Sequence, residues 1–298
     1  MEKQSAFAGP VEFDMSFAAG SPLVGFPAAF EEAVVRADAA CSVETFVCSG
    51  AALGEALAEM SPAGAVYENE EFAEFAQEGE IIRFYFRRPG EKIPYLKTVL
   101  REGRIEIHTV CEEDWPWGKR REIWAYLMLE KLLIKENAFI LHSASVLYRG
   151  SAILFSAPSG TGKSTQACLW ETYAGAAAFN GDRNILYRQE DGWYVLGIPW
   201  SGTSQDHRNL AVPLGGIAVV RRGETDSTQE LSAAEKFVQI YGEVTKNNWD
   251  ADFAESLIRL IRHLAQEALI VQLKCTMNQS AVLCLKDRLE RGLPDGTL

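Results

Sequence analysis

Lys163 lies within a run, Ser159-Gly160-Thr161-Gly162-Lys163-Ser164-Thr165, whose residue types suit the handling of phosphate. Glycines at 160 and 162 let a backbone turn tightly and aim successive N–H groups inward at oxygens. A lysine placed directly after them can reach β- and γ-phosphates, and a hydroxyl such as that of Ser164 is a ligand type for Mg²⁺. The apolar run Ala152-Ile153-Leu154-Phe155 precedes the loop, and a helix-compatible run to about Glu171 follows it. Strand, glycine loop and helix in that order give the chemistry its context, because a helix adds the positive end of its dipole to the loop N–H groups. The full pattern G-x-x-x-x-G-K-[ST] asks for glycine at 157, where this chain has Ala157. The competing reading is a Gly/Ser-rich turn with a chance lysine.

Phosphoryl transfer also needs a carboxylate near the metal or the attacking hydroxyl. Asp182 is the candidate, behind the small-residue segment Gly175-Ala176-Ala177-Ala178-Phe179-Asn180-Gly181 and separated from the loop by one predicted helix. Asn180-Gly181-Asp182 also reads as a plain turn. His142 lies on the apolar stretch Phe139–Arg149, either as a core histidine or beside the phosphates. The loop Ile198–Arg208 carries Trp200, Ser201, Gly202, Thr203, His207 and Arg208, which either close over a substrate or simply pack. Arg183 and Arg208 either neutralise transition-state charge or pair with surface acids. His108 and His263 read as ordinary.

His142, a strand, Ser159–Thr165, one helix and an early Asp182 together resemble the catalytic core of the HPr kinase/phosphorylase family, itself similar to the phosphoenolpyruvate carboxykinase nucleotide core. The resemblance covers about Phe139 to Cys284. A nearer likeness is to HPr-kinase-related proteins of bacterial gene clusters, some of which phosphorylate serine on a peptide or small molecule. These share a Gly-x-Pro-aromatic-Ser-Gly stretch, here Gly197-Ile198-Pro199-Trp200-Ser201-Gly202. The resemblance implies that Ser159, Gly160, Thr161, Gly162, Lys163, Ser164 and Thr165 hold ATP and Mg²⁺. It implies that Ser164 and Asp182 serve the metal, that Asp182 is a base to the acceptor hydroxyl, and that Lys163 and His142 act at the phosphates. Trp200, Ser201, Gly202 and Arg208 are the substrate-side candidates. Two departures stand out: Gly181-Asp182 replaces a pair of aspartates, and the Glu-Ile-Arg-Gly signature is absent. The first leaves one carboxylate to serve both as base and near the metal, and the second argues against HPr itself as acceptor and against reverse phosphorolysis.

The elements that must position these residues divide the chain. Residues 138–298 alternate strands and helices and are expected to form an α/β kinase domain with a mixed sheet. The expected strands are Phe139–Arg149 (one bent strand or a pair), Ile185–Arg188, Trp193–Gly197, Ile217–Val220 within Pro213–Arg221, and Leu269–Cys275. The expected helices are Gln166–Ala174, Ser232–Tyr241, Asp252–Glu267 and Gln279–Arg291. Ser232 and Glu235 form a capping-box pattern. Residues 1–137 read as an α+β region with strands at Ser42–Cys48, Ile81–Arg87, Pro94–Arg101 and Arg104–Val110, the last three an antiparallel meander. Helices are expected at Phe30–Ala40, Gly50–Glu59 and, most strongly, Gly118–Lys135. Arg83, Arg87 and Arg88 read as a solvated sheet face, with an acid-binding patch as the alternative. Trp115 and Trp117 read as packing residues.

The chain has 298 residues and a formal net charge of −12, which argues against a general nucleic-acid binder. Without a signal-peptide pattern or a membrane-length apolar run, a cytoplasmic protein is expected. Its six scattered cysteines match no disulfide or zinc spacing and read as reduced, mostly buried thiols. The expected function is an ATP- and Mg²⁺-dependent kinase acting on a hydroxyl, with serine of a peptide, protein or metabolite foremost. The alternative is a non-catalytic nucleotide sensor or assembly partner. The family tends to assemble, which implies a homo-oligomer, although no coiled-coil heptad points to one. A carboxykinase would need a longer chain and further metal ligands, and an ABC-type ATPase would need an LSGGQ-like signature.

Overall fold

A computed structural model of the chain describes residues 2–8, 10–27, 30, 39–61, 64–116, 121–199 and 206–292. It is a mixed α/β structure of two compact units, Met1–Leu132 and Leu133–Leu298. Among the described residues no helix is long and apolar enough to cross a membrane.

The first unit contains β1 (Glu2–Ala8), β2 (Val11–Phe17), β3 (Leu23–Val24), β4 (Ala39–Val47), α1 (Gly50–Met60), β5 (Tyr67–Glu68), β6 (Phe72–Gln77), β7 (Glu80–Tyr85), β8 (Leu96–Arg101), β9 (Arg104–Thr109) and β10 (Arg121–Glu122). Its main sheet runs β1-β2-β4-β9-β8-β7-β6-β5. The meander is present and longer than expected: β5 to β9 pair antiparallel in succession, then β4 joins β9 and β2 joins β4 in parallel. Strand β2 buries Val11, Phe13, Met15 and Phe17 and turns the residues between them outward, the period-two pattern of a one-sided strand. Ala56, Leu57 and Met60 of α1 pack on Phe75, Phe84 and Val99.

Two expectations for this unit fail. The strong helix Gly118–Lys135 is broken into short pieces. Arg121–Glu122 pair with β3, Ile123–Tyr126 make a 3-10 turn, Met128 adopts φ 50°, and α2 is only Leu129–Leu133 before a second 3-10 turn ending at left-handed Asn137. Residues 117–120, including Trp117, lie outside the described residues. The cause is an apolar run with no polar side: Ile123, Trp124, Tyr126, Leu127, Met128 and Leu129 are all buried, and a single helix cannot bury every face of itself on one sheet. Arg83 is also not on a solvated face. It is buried, held by Glu74 at 2.6 Å and Glu130 at 2.7 Å, with Lys131 on the second oxygen of Glu74 at 3.0 Å. Arg87 and Arg88 are exposed. The expected helix Phe30–Ala40 falls almost wholly on residues 31–38, outside the described residues, and Ala39 and Ala40 open β4.

The second unit contains β11 (Ala138–Tyr148), β12 (Ser151–Ser156), α3 (Lys163–Ala174), β13 (Ala177–Asn180), β14 (Arg183–Gln189), β15 (Gly192–Gly197), β16 (Ala211–Arg222), β17 (Ser227–Glu230), α4 (Ala233–Glu243), α5 (Ala251–Glu267), β18 (Ile270–Cys275) and α6 (Gln279–Gly292). The expected stretch Phe139–Arg149 is one strand, β11, which ends at Tyr148 before left-handed Arg149 and serves two partners in turn. Residues 138–142 pair with β14, and residues 143–148 pair with β12, with β13 on the other side. Strand β16 does the same, pairing first with β15 and then running parallel between β12 and β18.

Strand β12 is buried at every position, the mark of a parallel strand covered on both faces. Ala152 and Leu154 join the core under α4 and α5, while Ile153 and Phe155 join Trp170, Leu285 and Leu289 of α3 and α6. Helix α5 buries Phe253, Leu257, Leu260, Ile261 and Leu264 at helical spacing, each such burial contributing about 1.5–3 kcal/mol. The capping box forms on α4: Ser232 Oγ accepts from the Glu235 N–H, and the Glu235 carboxylate accepts from the Ser232 N–H.

Candidate functional site

The glycine loop, residues 157–162, begins where β12 ends. Gly160 and Gly162 have φ of 75° and 124°, a conformation that a side chain would strain. A Cβ at either position would meet nothing within 4 Å, so the backbone angle and not crowding is what calls for glycine. Gly162 is the N-cap of α3 and offers no side-chain acceptor, and the first turn of the helix has no acidic residue. The first-turn N–H groups therefore lack intrahelical partners and point at a place suited to an anion. Ala157 needs no glycine. Its methyl is buried in the core beneath α3 and α6, and its carbonyl accepts from Lys163 Nζ at 2.7 Å.

Lys163 is 8% exposed and folds back across the loop, with Pro158 O as a second acceptor at 3.4 Å. Burial pushes its ammonium below the usual lysine range, while Glu243 and Asp182 act against that shift. The lysine thus lies within the field of two carboxylates from elements distant in sequence. Arg222, at the end of β16, braces the loop from outside by donating from Nε to Thr161 O at 3.3 Å and from Nη2 to Gly160 O.

Beside the loop, β11 exchanges one partner for another, and His142 sits at that exchange. It is the last residue paired to β14, opposite Arg183, and its carbonyl accepts from Ser156 Oγ at the end of β12. The turn Gly181-Asp182 spans the gap between β13 and β14. Asp182 Oδ1 lies 3.4 Å from His142 Nε2, and Oδ2 lies 3.3 Å from Arg183 Nε. The hydrogen bond from His142, assisted by the charges of Arg183 and Lys163, holds the Asp182 carboxyl below its ordinary range against the opposing effect of burial. On the other side of the ring, Nδ1 lies 3.3 Å from Glu243 Oε2, at the last residue of α4. Arg183 Nη1 also donates to Thr245 Oγ1.

The turn carrying Asp182 is built from below by buried amides. Asn180, 1% exposed, accepts on Oδ1 from the N–H groups of Asp182 and Arg183 and donates to Ile198 O. Asn184 bridges Ser143 and Ser145 of β11, and the Ser143 N–H donates to Asp182 O at 2.9 Å. These bonds fix the turn and leave the Asp182 carboxylate 32% exposed.

Lys163, His142 and Asp182 therefore come together, with Ser159, Gly160, Thr161, Gly162, Ser164 and Thr165 on the adjoining loop and helix end. Arg208 donates from Nε to Ala178 O on β13. Trp200, Ser201 and Gly202 lie outside the described residues, as does Thr203. Glu243, Arg222, Asn180 and Thr245 were not expected in these roles. Glu243 carries the one local signal, a carboxylate at the negative end of a helix dipole, where it is unfavourable. His108 stacks on Phe46, and His263 pairs with Glu267 on its own helix. Trp115 is buried edge-on against Tyr95. All six cysteines are free, but only Cys41 and Cys275 are buried and Cys168 is exposed, so the thiols are less buried than expected. The chain matches no protein-family model and no curated protein.

Proposed function

We propose that the second unit is an ATP- and Mg²⁺-dependent phosphotransferase of the HPr-kinase-like, carboxykinase-type fold, delivering the γ-phosphoryl group to a hydroxyl, foremost a serine hydroxyl. The observation that carries this reading is the Asp182 carboxylate 3.4 Å from His142 Nε2, where the His142 carbonyl accepts from Ser156 at the end of the strand that leads into the glycine loop and Lys163. Lys163 would exchange the Ala157 carbonyl for phosphate oxygens, and the uncapped first turn of α3 would hold the remainder of the phosphate chain. Among the described residues no group of three or more His, Cys, Asp or Glu forms a cation cage. Mg²⁺ is usually held by one or two protein oxygens, nucleotide phosphates and water. The exposed Ser164 hydroxyl and Asp182 are the residues that would hold it, and the ion would supply charge neutralisation at the phosphates.

In the transfer, the acceptor oxygen forms a bond to the γ-phosphorus as the bond to the β,γ-bridging oxygen breaks, leaving ADP. The acceptor proton goes to the Asp182 carboxylate, which His142 and Arg183 keep ionised and oriented. The test is incubation with γ-labelled ATP and Mg²⁺, offering free serine, serine-containing peptides and a cytoplasmic extract. Label appearing in a hydroxyl acceptor supports the reading. Tight ATP binding with no label in any acceptor would favour a nucleotide sensor instead.

A further inference from the structure

We infer that Glu243 is a positioning residue for this site, acting through His142 to aim the Nε2 edge of the imidazole at Asp182. The inference rests on the kinase reading of the same site and adds a residue to it.

Three observations carry it. The first is the backbone. Leu141 and Val244 form an antiparallel bridge, and the Thr245 N–H donates to Ile140 O at 3.0 Å. This staple joins the end of α4 to β11 and sets Glu243 across from His142, so the contact is built into the fold rather than made by two wandering side chains. The second is placement against local preference. Glu243 ends a helix whose last turn contains no basic residue, and a carboxylate there opposes the dipole. Its side chain is only 16% exposed and is turned onto the imidazole. The third is the ring itself. Each of its nitrogens faces a carboxylate, Nδ1 at 3.3 Å from Glu243 Oε2 and Nε2 at 3.4 Å from Asp182 Oδ1. A carboxylate on Nδ1 fixes which way the ring faces, and thereby which nitrogen meets Asp182. Without Glu243 the ring could swing toward solvent, and Asp182 would lose the donor that orients it.

The experiment compares Glu243→Ala, Glu243→Gln, His142→Ala and the double variant Glu243→Ala/His142→Ala in the full chain. Glu243→Ala should lower kcat by roughly 10- to 100-fold, as expected for loss of a group that orients a functional imidazole, with KM for ATP little changed. Glu243→Gln keeps a carbonyl acceptor for Nδ1–H and should recover much of the loss. The double variant should be no slower than His142→Ala alone. Independently of activity, ¹⁵N-histidine spectra assigned with His142→Ala should contain a hydrogen-bonded His142 Nδ1–H that disappears in Glu243→Ala. Losses that multiply in the double variant, or a His142 resonance indifferent to Glu243, would overturn the inference. If the wild type transfers no phosphoryl group, the kinase reading falls, while the His142 resonance still decides whether Glu243 holds the ring.

Discussion

Each unit contains a cluster of cations and carboxylates, and the two are built differently. In the first unit, Arg83, Glu74, Lys131 and Glu130 are buried with 2–12% of their side chains exposed, at distances of 2.6–3.0 Å. In the second, His142, Asp182, Glu243 and Arg183 are 16–41% exposed, at 3.3–3.4 Å. The buried cluster has matched charges and close contacts and no room for a newcomer, so its role is to hold β6, β7 and the segment around α2 together. The open cluster has longer contacts, solvent access and a neighbouring glycine loop that leads into an uncapped helix start. Ion pairs alone do not mark a reaction site. What separates the two is whether the charged groups retain bonding capacity that a ligand could use.

Several substitutions would break or sharpen this contrast. Removing Glu74 should have the largest effect on stability. Glu74→Ala leaves Arg83 and Lys131 buried with too little negative charge and should destabilise the first unit by about 3–5 kcal/mol in denaturant unfolding. ATP binding by the folded fraction should be unchanged. Asn180→Ala should come next. It strips partners from the N–H groups of Asp182 and Arg183 and from Ile198 O, at a cost of about 1–3 kcal/mol, and should lower kcat by displacing Asp182. Arg222→Ala removes the outer brace of the glycine loop. It should raise the Kd for ATP several-fold, corresponding to about 1 kcal/mol, with little change in melting temperature.

The smallest effect is that of acid. Asp182 is held below its ordinary range first by His142, and Glu267 first by Arg188, so at mildly acidic pH the unfolded chain binds more protons than the folded one. Their contribution is present above the ordinary carboxylate range near pH 4 and is lost as pH falls through the depressed folded values. Thermal melting between pH 6 and pH 3 should therefore show a falling midpoint, with a shallower fall in Arg188→Ala.

How much of this was legible in the sequence follows from the kind of signal each element carries. Strand β12 and α5 were readable because their apolar spacing is set by local burial on sheet and helix faces, and α3 because it follows the glycine loop. The meander strands β7, β8 and β9 were readable for the same reason, helped by the Glu102-Gly103 turn. Strand β17, with sequence Ser-Thr-Gln-Glu, was not, because an exposed edge strand has no apolar pattern and exists by pairing with β18. The 118–135 run misled because its charges and apolar residues fit a helical stripe while burial on several sides divides it. In the site, Lys163 was found from its neighbours in sequence and Asp182 from its distance to the loop. Glu243 and Arg222 reach the site through sheet register and a helix end, which no local pattern records. Arg83 was misread because an arginine on a strand looks the same whether its partners are water or Glu74.

The central claim is that the open cluster transfers phosphate from nucleotide held by the glycine loop. The most direct measurement is single-turnover transfer from γ-labelled ATP by wild type and Asp182→Asn, with ATP affinity measured on the same samples. The predicted result is retained affinity with transfer reduced by about 10²–10⁴-fold, the usual contribution of a positioned base. Equal transfer by both proteins would contradict the account, because the acceptor proton would then have another destination than Asp182.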